Sequence, residues 1–198
     1  MGNMPLNPIA QIDAWFKQAQ QAGNPMPDAI TLATATRDGA PSARIVLYKG
    51  LTKSGSILFV TNYTSRKADE LETNPRAALV FYWSKLERQI RVEGRVERVS
   101  PSESDAYWNS RPRESNLSAW ASPQSSVVQS REELEARVQE MQNRFQGIEK
   151  PPRPEFWGGY QVTPKKIEFW QGRPNRLHDR LLYIHGSDGS WLEERLAP

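Results

Sequence analysis

The sequence predicts a mainly β fold with flanking helices, arranged as an antiparallel sheet or barrel. Three observations carry that expectation. Segments of strand character outnumber helical ones, roughly eight against three or four. Consecutive strand segments are joined mostly by tight turns, not by the crossover helices a parallel sheet requires. In Arg88–Val99, Ile90, Val92, Gly94 and Val96 alternate with Arg91, Glu93 and Arg95, the pattern of a strand with one buried and one wet face.

The first element reads as a helix. Asn7 can cap it, Pro8 suits its first turn, and Ile9, Ile12, Trp15, Phe16 and Ala19 form one apolar face before Gly23 stops it. Strands follow at Ala29–Thr36 and Ser42–Lys49 around the turn Arg37-Asp38-Gly39, and then at Ser56–Asn62 after Lys53-Ser54-Gly55. Ser65 can cap a short helix to about Thr73, which Asn74-Pro75 ends. Arg76–Ser84 and Arg88–Val99 are further strands. The sequence Ser100-Pro101-Ser102-Glu103 is a capping box opening a helix to about Ser110, and Ser130 with Glu133 repeats the signal before Leu134, Val138, Met141 and Phe145. Between them, Arg111–Ser126 carries few structural signals. After the stiff connector Pro151–Pro154, strands are expected at Trp157–Val162, Lys166–Gln171, Arg180–His185 and Trp191–Arg195. No repeat or low-complexity tract divides the chain, so residues 1–198 read as one domain.

Composition excludes several chemistries. The chain has no cysteine, which removes disulfides, thiolate metal sites and cysteine nucleophiles, and is compatible with a reducing cytoplasm. Its two histidines, His178 and His185, cannot build a multi-histidine metal site, so no metal is expected. There is no Rossmann fingerprint, P-loop or nucleophile elbow. A net charge of +3 is too small to argue for nucleic acid. No stretch approaches the roughly 18 apolar residues of a membrane span, and the first ten residues carry no secretory signal.

Four clusters hold the candidate chemistry. Arg44-Ile45-Val46-Leu47-Tyr48-Lys49 places Arg44, Val46 and Tyr48 on one strand face and Ile45, Leu47 and Lys49 on the other, which also suits an ordinary strand with solvated ends. Arg66 and Lys67 follow Ser65 at a helix N-terminus, where two cations oppose the helix dipole unless an anion sits between them. Tyr107, Arg111, Arg113 and Ser115 are the donor types that grip a phosphate monoester, or a solvated helix end. In Trp170-Gln171-Gly172 to Arg176-Leu177-His178-Asp179-Arg180, an extended chain would project Arg176, His178 and Arg180 from one face.

With these clusters in this order, the chain resembles the pyridoxamine 5′-phosphate oxidase family from about Asn7 to Pro198. Further marks of the resemblance are Leu86-Glu87-Arg88-Gln89, Gln124-Ser125-Ser126, Phe156-Trp157-Gly158-Gly159 and the terminal Arg195-Leu196-Ala197-Pro198. The resemblance implies an FMN-binding split β-barrel, a homodimer with its sites at the interface and a dimerisation and active-site region at about residues 151–198. It implies FMN held by Arg44, Ile45, Val46, Leu47, Tyr48, Lys49, Val60, Thr61, Arg66, Lys67, Gln89, Gln124, Ser125, Trp170 and Arg180. Substrate phosphate would be gripped by Lys49, Tyr107, Arg111 and Ser115. Arg176, Leu177 and His178 would lie against the substrate ring, with Arg176 and His178 as the catalytic pair.

The implied reaction is oxidation of pyridoxamine or pyridoxine 5′-phosphate by oxygen, giving pyridoxal 5′-phosphate and hydrogen peroxide in the cytoplasm. No nucleic acid or membrane partner is expected. Two departures from the family stand out. The chain starts a few residues before the first helix, so a closing N-terminal segment with Arg and Tyr is expected to be absent. Val60 also stands where many relatives carry an aromatic residue. Another split-barrel flavin oxidoreductase and a non-catalytic carrier of FMN or pyridoxal phosphate are the alternatives.

Overall fold

The computed structural model describes residues 7–198, so the segment ahead of Asn7, with its expected lack of a closing arm, lies outside the described residues. The first helix, α1 (Pro8–Gln21), forms where expected. Asn7 Oδ1 accepts from the Ile9 and Ala10 amides at 3.0 and 3.5 Å, and Ile12, Trp15 and Ala19 are buried.

Eight strands then make one antiparallel sheet: β1 (Ala29–Ala35), β2 (Pro41–Leu47), β3 (Ile57–Asn62), β4 (Arg76–Trp83), β5 (Arg88–Arg98), β6 (Trp157–Gln171), β7 (Asp179–His185) and β8 (Trp191–Arg195). The order is β2-β1-β4-β5-β6-β7-β8, with β3 paired to β6. Just past β2 the Lys49 amide donates to Leu58 O at 2.8 Å and the Leu58 amide to Gly50 O at 3.0 Å, which joins the β2 edge to β3 and closes six strands into a barrel. β7 and β8 extend the sheet beyond that closure.

The two strands expected at Trp157–Val162 and Lys166–Gln171 are one strand of 15 residues. The pairing with β5 shifts at Glu93/Gly94, opposite Thr163–Lys166, so Pro164-Lys165 is absorbed as a bulge instead of breaking the strand. Gly94 is required there: a Cβ would lie 2.3 Å from Thr163 O. This bend lets one strand serve both sides, pairing β3 with its first half and β7 with its second.

The barrel core is aromatic and aliphatic, with Leu32, Phe59, Leu79, Phe81, Ile90 and Val92 fully buried. Side chains of this size contribute roughly 1.5–3 kcal/mol each on burial. α1 covers one side, its Trp15 meeting Phe169 edge-on at 5.2 Å.

Four more helices surround the sheet: α2 (Arg66–Thr73), α3 (Pro101–Ser110), α4 (Arg113–Ala121) and α5 (Arg131–Arg144). The capping box of α3 forms as expected. At α5 the Ser130 hydroxyl accepts from the Glu133 amide at 3.3 Å, but the Glu133 carboxylate takes the Gln129 amide instead of closing the box. α4 lies in the stretch with few signals, and with α5 it forms a small second core of Leu117, Ala121, Met141 and Phe145. The connector after α5 is pinned by two indoles: Trp108 Nε1 donates to Pro151 O at 2.7 Å and Trp120 Nε1 to Pro152 O at 2.9 Å.

Candidate active site

The end of β2, β3, the first turn of α2 and the α3–α4 corner meet around a cavity of about 440 Å³. It is lined by Ile45, Val46, Leu47 and Lys49, by Val60 and Thr61, by Lys67, by Tyr107, Arg111 and Ser115, and by Gln124. All of these are sequence-nominated residues; Pro112 is the one additional lining residue.

Lys67 is buried, and its Nζ donates to Gln124 Oε1 at 2.7 Å, Ser65 Oγ at 3.1 Å and Thr61 Oγ1 at 3.2 Å. Burial brings its pKa down to about 8, the Arg44 cation pushes the same way, and Glu70 opposes both. Ser65 stands at the α2 cap position but does not cap with its side chain. Its hydroxyl donates to Asn62 O at 2.7 Å and accepts from Lys67, so it orients the lysine instead.

The Arg111 guanidinium packs against two indoles that touch each other edge-on, its carbon 4.5 Å from the Trp157 ring centre and 5.1 Å from that of Trp108. Nη2 donates to Ser115 O at 3.0 Å, while Nη1 is buried with no hydrogen-bond partner among the described residues. Nearby, Lys49 Nζ sits 3.7 Å from Asp28 and 5.9 Å from the Tyr107 ring centre. Buried donors are ordinarily satisfied, so an unpaired guanidinium nitrogen beside an open cavity fits an anionic ligand.

Four nominated residues of this region do not line the cavity. The Tyr48 side chain is in the barrel core, edge-on to Phe16 and Phe81 at 4.9 and 5.3 Å. Arg44 and Arg66 converge on the buried Glu70 carboxylate, with Arg44 Nη2 at 3.2 Å and Arg66 Nε at 2.9 Å. Ser125 follows Gln124 in a turn with φ 72°.

The remaining nominated residues form a second group, none of which lines that cavity. Strand register sets Gln89 on β5 opposite Trp170 on β6, and Trp170 opposite Arg180 on β7. The three therefore stand side by side on one sheet face, while the adjacent row Ile90, Phe169 and Leu181 is buried.

Arg176 does not share a strand face with His178 and Arg180. Pro174–Arg176 is a 3-10 turn in which Asn175 and Arg176 both have positive φ, 58° and 60°, and β7 begins only at Asp179. His178 packs on Trp170 with ring centres 4.7 Å apart, and its Nδ1 accepts the Arg173 amide proton at 3.1 Å. A neutral imidazole with that acceptor carries its proton on Nε2. Leu177 is largely exposed. Asp179 ties the turn down through Arg173 at 2.8 Å and Arg195 at 3.1 Å.

The sequence reading missed the two buried carboxylates, Glu70 and Glu168, and the indoles of Trp108 and Trp157. Glu70 follows Arg66 by one helical turn, a spacing that could have flagged it.

Among solved structures, the fold matches PhzG from Burkholderia lata in complex with tetrahydrophenazine-1-carboxylic acid, with a TM-score of 0.92 and 32% identity over 99% of this chain and 95% of that one. It also matches a pyridoxamine 5′-phosphate oxidase-related, FMN-binding protein from Nostoc punctiforme, with a TM-score of 0.79 and 20% identity over 98% and 100% of the two chains. The fold defines the class: a split-barrel protein.

Residues 16–145 match the pyridoxamine 5′-phosphate oxidase family, and residues 157–198 match the pyridoxine 5′-phosphate oxidase C-terminal dimerisation region. Pyridoxine/pyridoxamine 5′-phosphate oxidases from Paraburkholderia phymatum and Rubrobacter xylanophilus are 56% and 58% identical, over 97% of this chain and 89% and 87% of theirs. The chain belongs to the pyridoxamine 5′-phosphate oxidase family and is an oxidoreductase with FMN as its cofactor. The residues present fit that group: the buried Lys67, with Thr61 and Gln124 on its ammonium, is a donor suited to phosphate, and Ile45, Leu47 and Val60 give the same cavity an apolar wall.

Proposed function

We propose that this chain oxidises pyridoxamine 5′-phosphate and pyridoxine 5′-phosphate to pyridoxal 5′-phosphate, with oxygen as electron acceptor and hydrogen peroxide as product. The observation that carries this reading is the gathering of Lys49, Lys67, Tyr107, Arg111, Ser115 and Gln124 around one cavity. Two phosphorylated molecules, cofactor and substrate, need more cationic donors than either alone. In this reading Lys67, Thr61 and Gln124, with Arg44, Arg66 and Ser125, serve the cofactor, and Lys49, Tyr107, Arg111 and Ser115 hold the substrate phosphate.

When bound, FMN supplies the two-electron oxidant for the substrate C4′ carbon, and oxygen takes those electrons on to peroxide. The amine substrate also takes up water and releases ammonia; the alcohol substrate needs neither. The protein's task is placement. Arg111 anchors the phosphate end of the substrate and excludes water from that end. His178, its Nδ1 occupied by the Arg173 amide, offers Nε2–H toward the substrate, and Arg176 supplies a positive charge on the same turn.

Gln89, Trp170, Arg176, His178 and Arg180 are grouped apart from the cavity within one chain, and most lie in the segment matching the dimerisation region. This supports a homodimer in which each site takes the cavity from one copy and the Trp170–Arg180 surface from the other. The whole chain then acts as one domain of a cytoplasmic enzyme. No helix among the described residues is long and apolar enough to cross a membrane.

The test is direct. The purified protein should be yellow and release FMN on denaturation. In air it should convert pyridoxamine 5′-phosphate to the pyridoxal product with one peroxide per turnover. A yellow protein inert toward both phosphorylated vitamers but active on an unphosphorylated ring acid would favour a role nearer to that of PhzG.

A further inference from the structure

We propose that Glu70 is a positioning residue for the cofactor phosphate, fixing the guanidinium groups of Arg44 and Arg66 and setting the net charge of the cluster they form beside Lys67. The inference rests on the FMN reading and adds to it a residue that makes no contact with the cofactor.

Glu70 lies on α2 one turn after Arg66, with its side chain 4% exposed. Every part of its carboxylate is used. Oε1 accepts from Arg66 Nε at 2.9 Å, and Oε2 accepts from Ser42 Oγ at 2.6 Å, from Arg44 Nη2 at 3.2 Å and from the Thr34 hydroxyl. A buried carboxylate is costly to desolvate, and an apolar core in its place is often no less stable. Its effect here is geometric.

Arg44 is turned inward. Its Nη1 donates to Leu32 O at 3.2 Å and to Thr34 Oγ1 at 2.5 Å, and its Nη2 donates to Glu70 and Ser42. Arg66 is turned the other way. Glu70 takes only its Nε edge, so both Nη groups are left without a partner among the described residues, on a side chain 65% exposed. That free fork is the part of an arginine that grips a phosphate. The charges also match: Arg44, Arg66 and Lys67 against Glu70 leave two positive charges, those a phosphate dianion would neutralise.

Simple electrostatics and positioning predict opposite signs. Removing a negative charge from an anion site should tighten phosphate binding, whereas releasing Arg44 and Arg66 should weaken it. The experiment is titration of cofactor-free protein with FMN and with riboflavin, followed by quenching of flavin fluorescence. Riboflavin lacks the phosphate and reports the ring pocket alone.

Glu70→Gln is expected to weaken FMN at least about tenfold while leaving riboflavin within about twofold. Glu70→Asp keeps the buried charge, is one methylene short of Arg66, and should move FMN affinity in the same direction. Unchanged or tighter FMN binding in both variants overturns the proposal, as does an equal loss for both flavins. A wild-type protein that binds neither flavin overturns this and the FMN reading together. A wild type that prefers FMN, with variants that keep the preference, overturns this one alone.

Discussion

Arg180 on β7 donates its Nε–H to the Glu168 carboxylate on β6 at 2.8 Å, and the same buried carboxylate accepts from Arg91 on β5 at 3.2 Å. Glu168 thus ties three strands together beside the row of Gln89, Trp170 and Arg180. The hydrogen bond to Glu168 raises the Arg180 pKa further above its ordinary value. Glu168→Gln should cost about 1–3 kcal/mol of stability, because it leaves charged donors with a weaker acceptor. Thermal unfolding and flavin content of the purified variant check this: both should fall, and a variant with unchanged melting would remove Glu168 as a tie.

Arg111→Lys tests the indole cradle. A lysine has no planar guanidinium to lay on the Trp108 and Trp157 rings, and no fixed fork to bond Ser115 O while aiming a second N–H at the cavity. The expected outcome is a rise in KM for the phosphorylated substrate of roughly tenfold or more, with FMN affinity within about twofold. Steady-state kinetics beside a flavin titration separate the two effects.

Lys67 gives a pH dependence. Its pKa of about 8 in the free protein leaves it increasingly neutral above that pH, and a bound phosphate dianion favours its charged form. Binding above pH 8 therefore requires proton uptake, and FMN affinity should fall as pH rises, by up to about tenfold per unit. The slope persists until the raised pKa of the bound form is reached. Lys67→Ala should bind FMN more weakly at pH 7 and lose this part of the slope. Flavin titrations between pH 7 and 9.5 measure it.

Arg176 and Lys67 should separate turnover from cofactor retention. Arg176→Ala is expected to lower kcat by about ten- to a hundredfold with FMN retained. Lys67→Ala should lose FMN on gel filtration and regain much of its turnover in excess FMN. Equal effects on both parameters in both variants would contradict the assigned roles.

Local rules carried much of the fold. Asn7 and Ser100 announced their helices, and the alternation of Ile90, Val92 and Val96 set the buried face of β5. Features that depend on distant residues were not legible. α4 opens at Pro112, which has no capping side chain, and its apolar residues gain meaning only against α5. The two halves of β6 read as separate strands because Pro164 falls between them, where tertiary pairing converts a break into a bulge. The positive φ values of Asn175 and Arg176 have no glycine to signal them, so an extended chain was the natural expectation. At the site, residue types and order were enough to nominate the cavity wall. The lateral row of Gln89, Trp170 and Arg180 follows from register between strands far apart in sequence, which spacing along the chain does not reveal.

In the proposed dimer, each site that oxidises a phosphorylated vitamer is shared between two copies. The most direct measurement pairs two inactive variants, one altered in the cavity at Arg111 and one in the separate group at Arg176. Co-expressed in equal amounts, they form mixed dimers in which one site carries both lesions and the other carries neither. Formation of pyridoxal 5′-phosphate should return to about a quarter of the wild-type rate. A mixture as inactive as either variant alone would contradict the shared site.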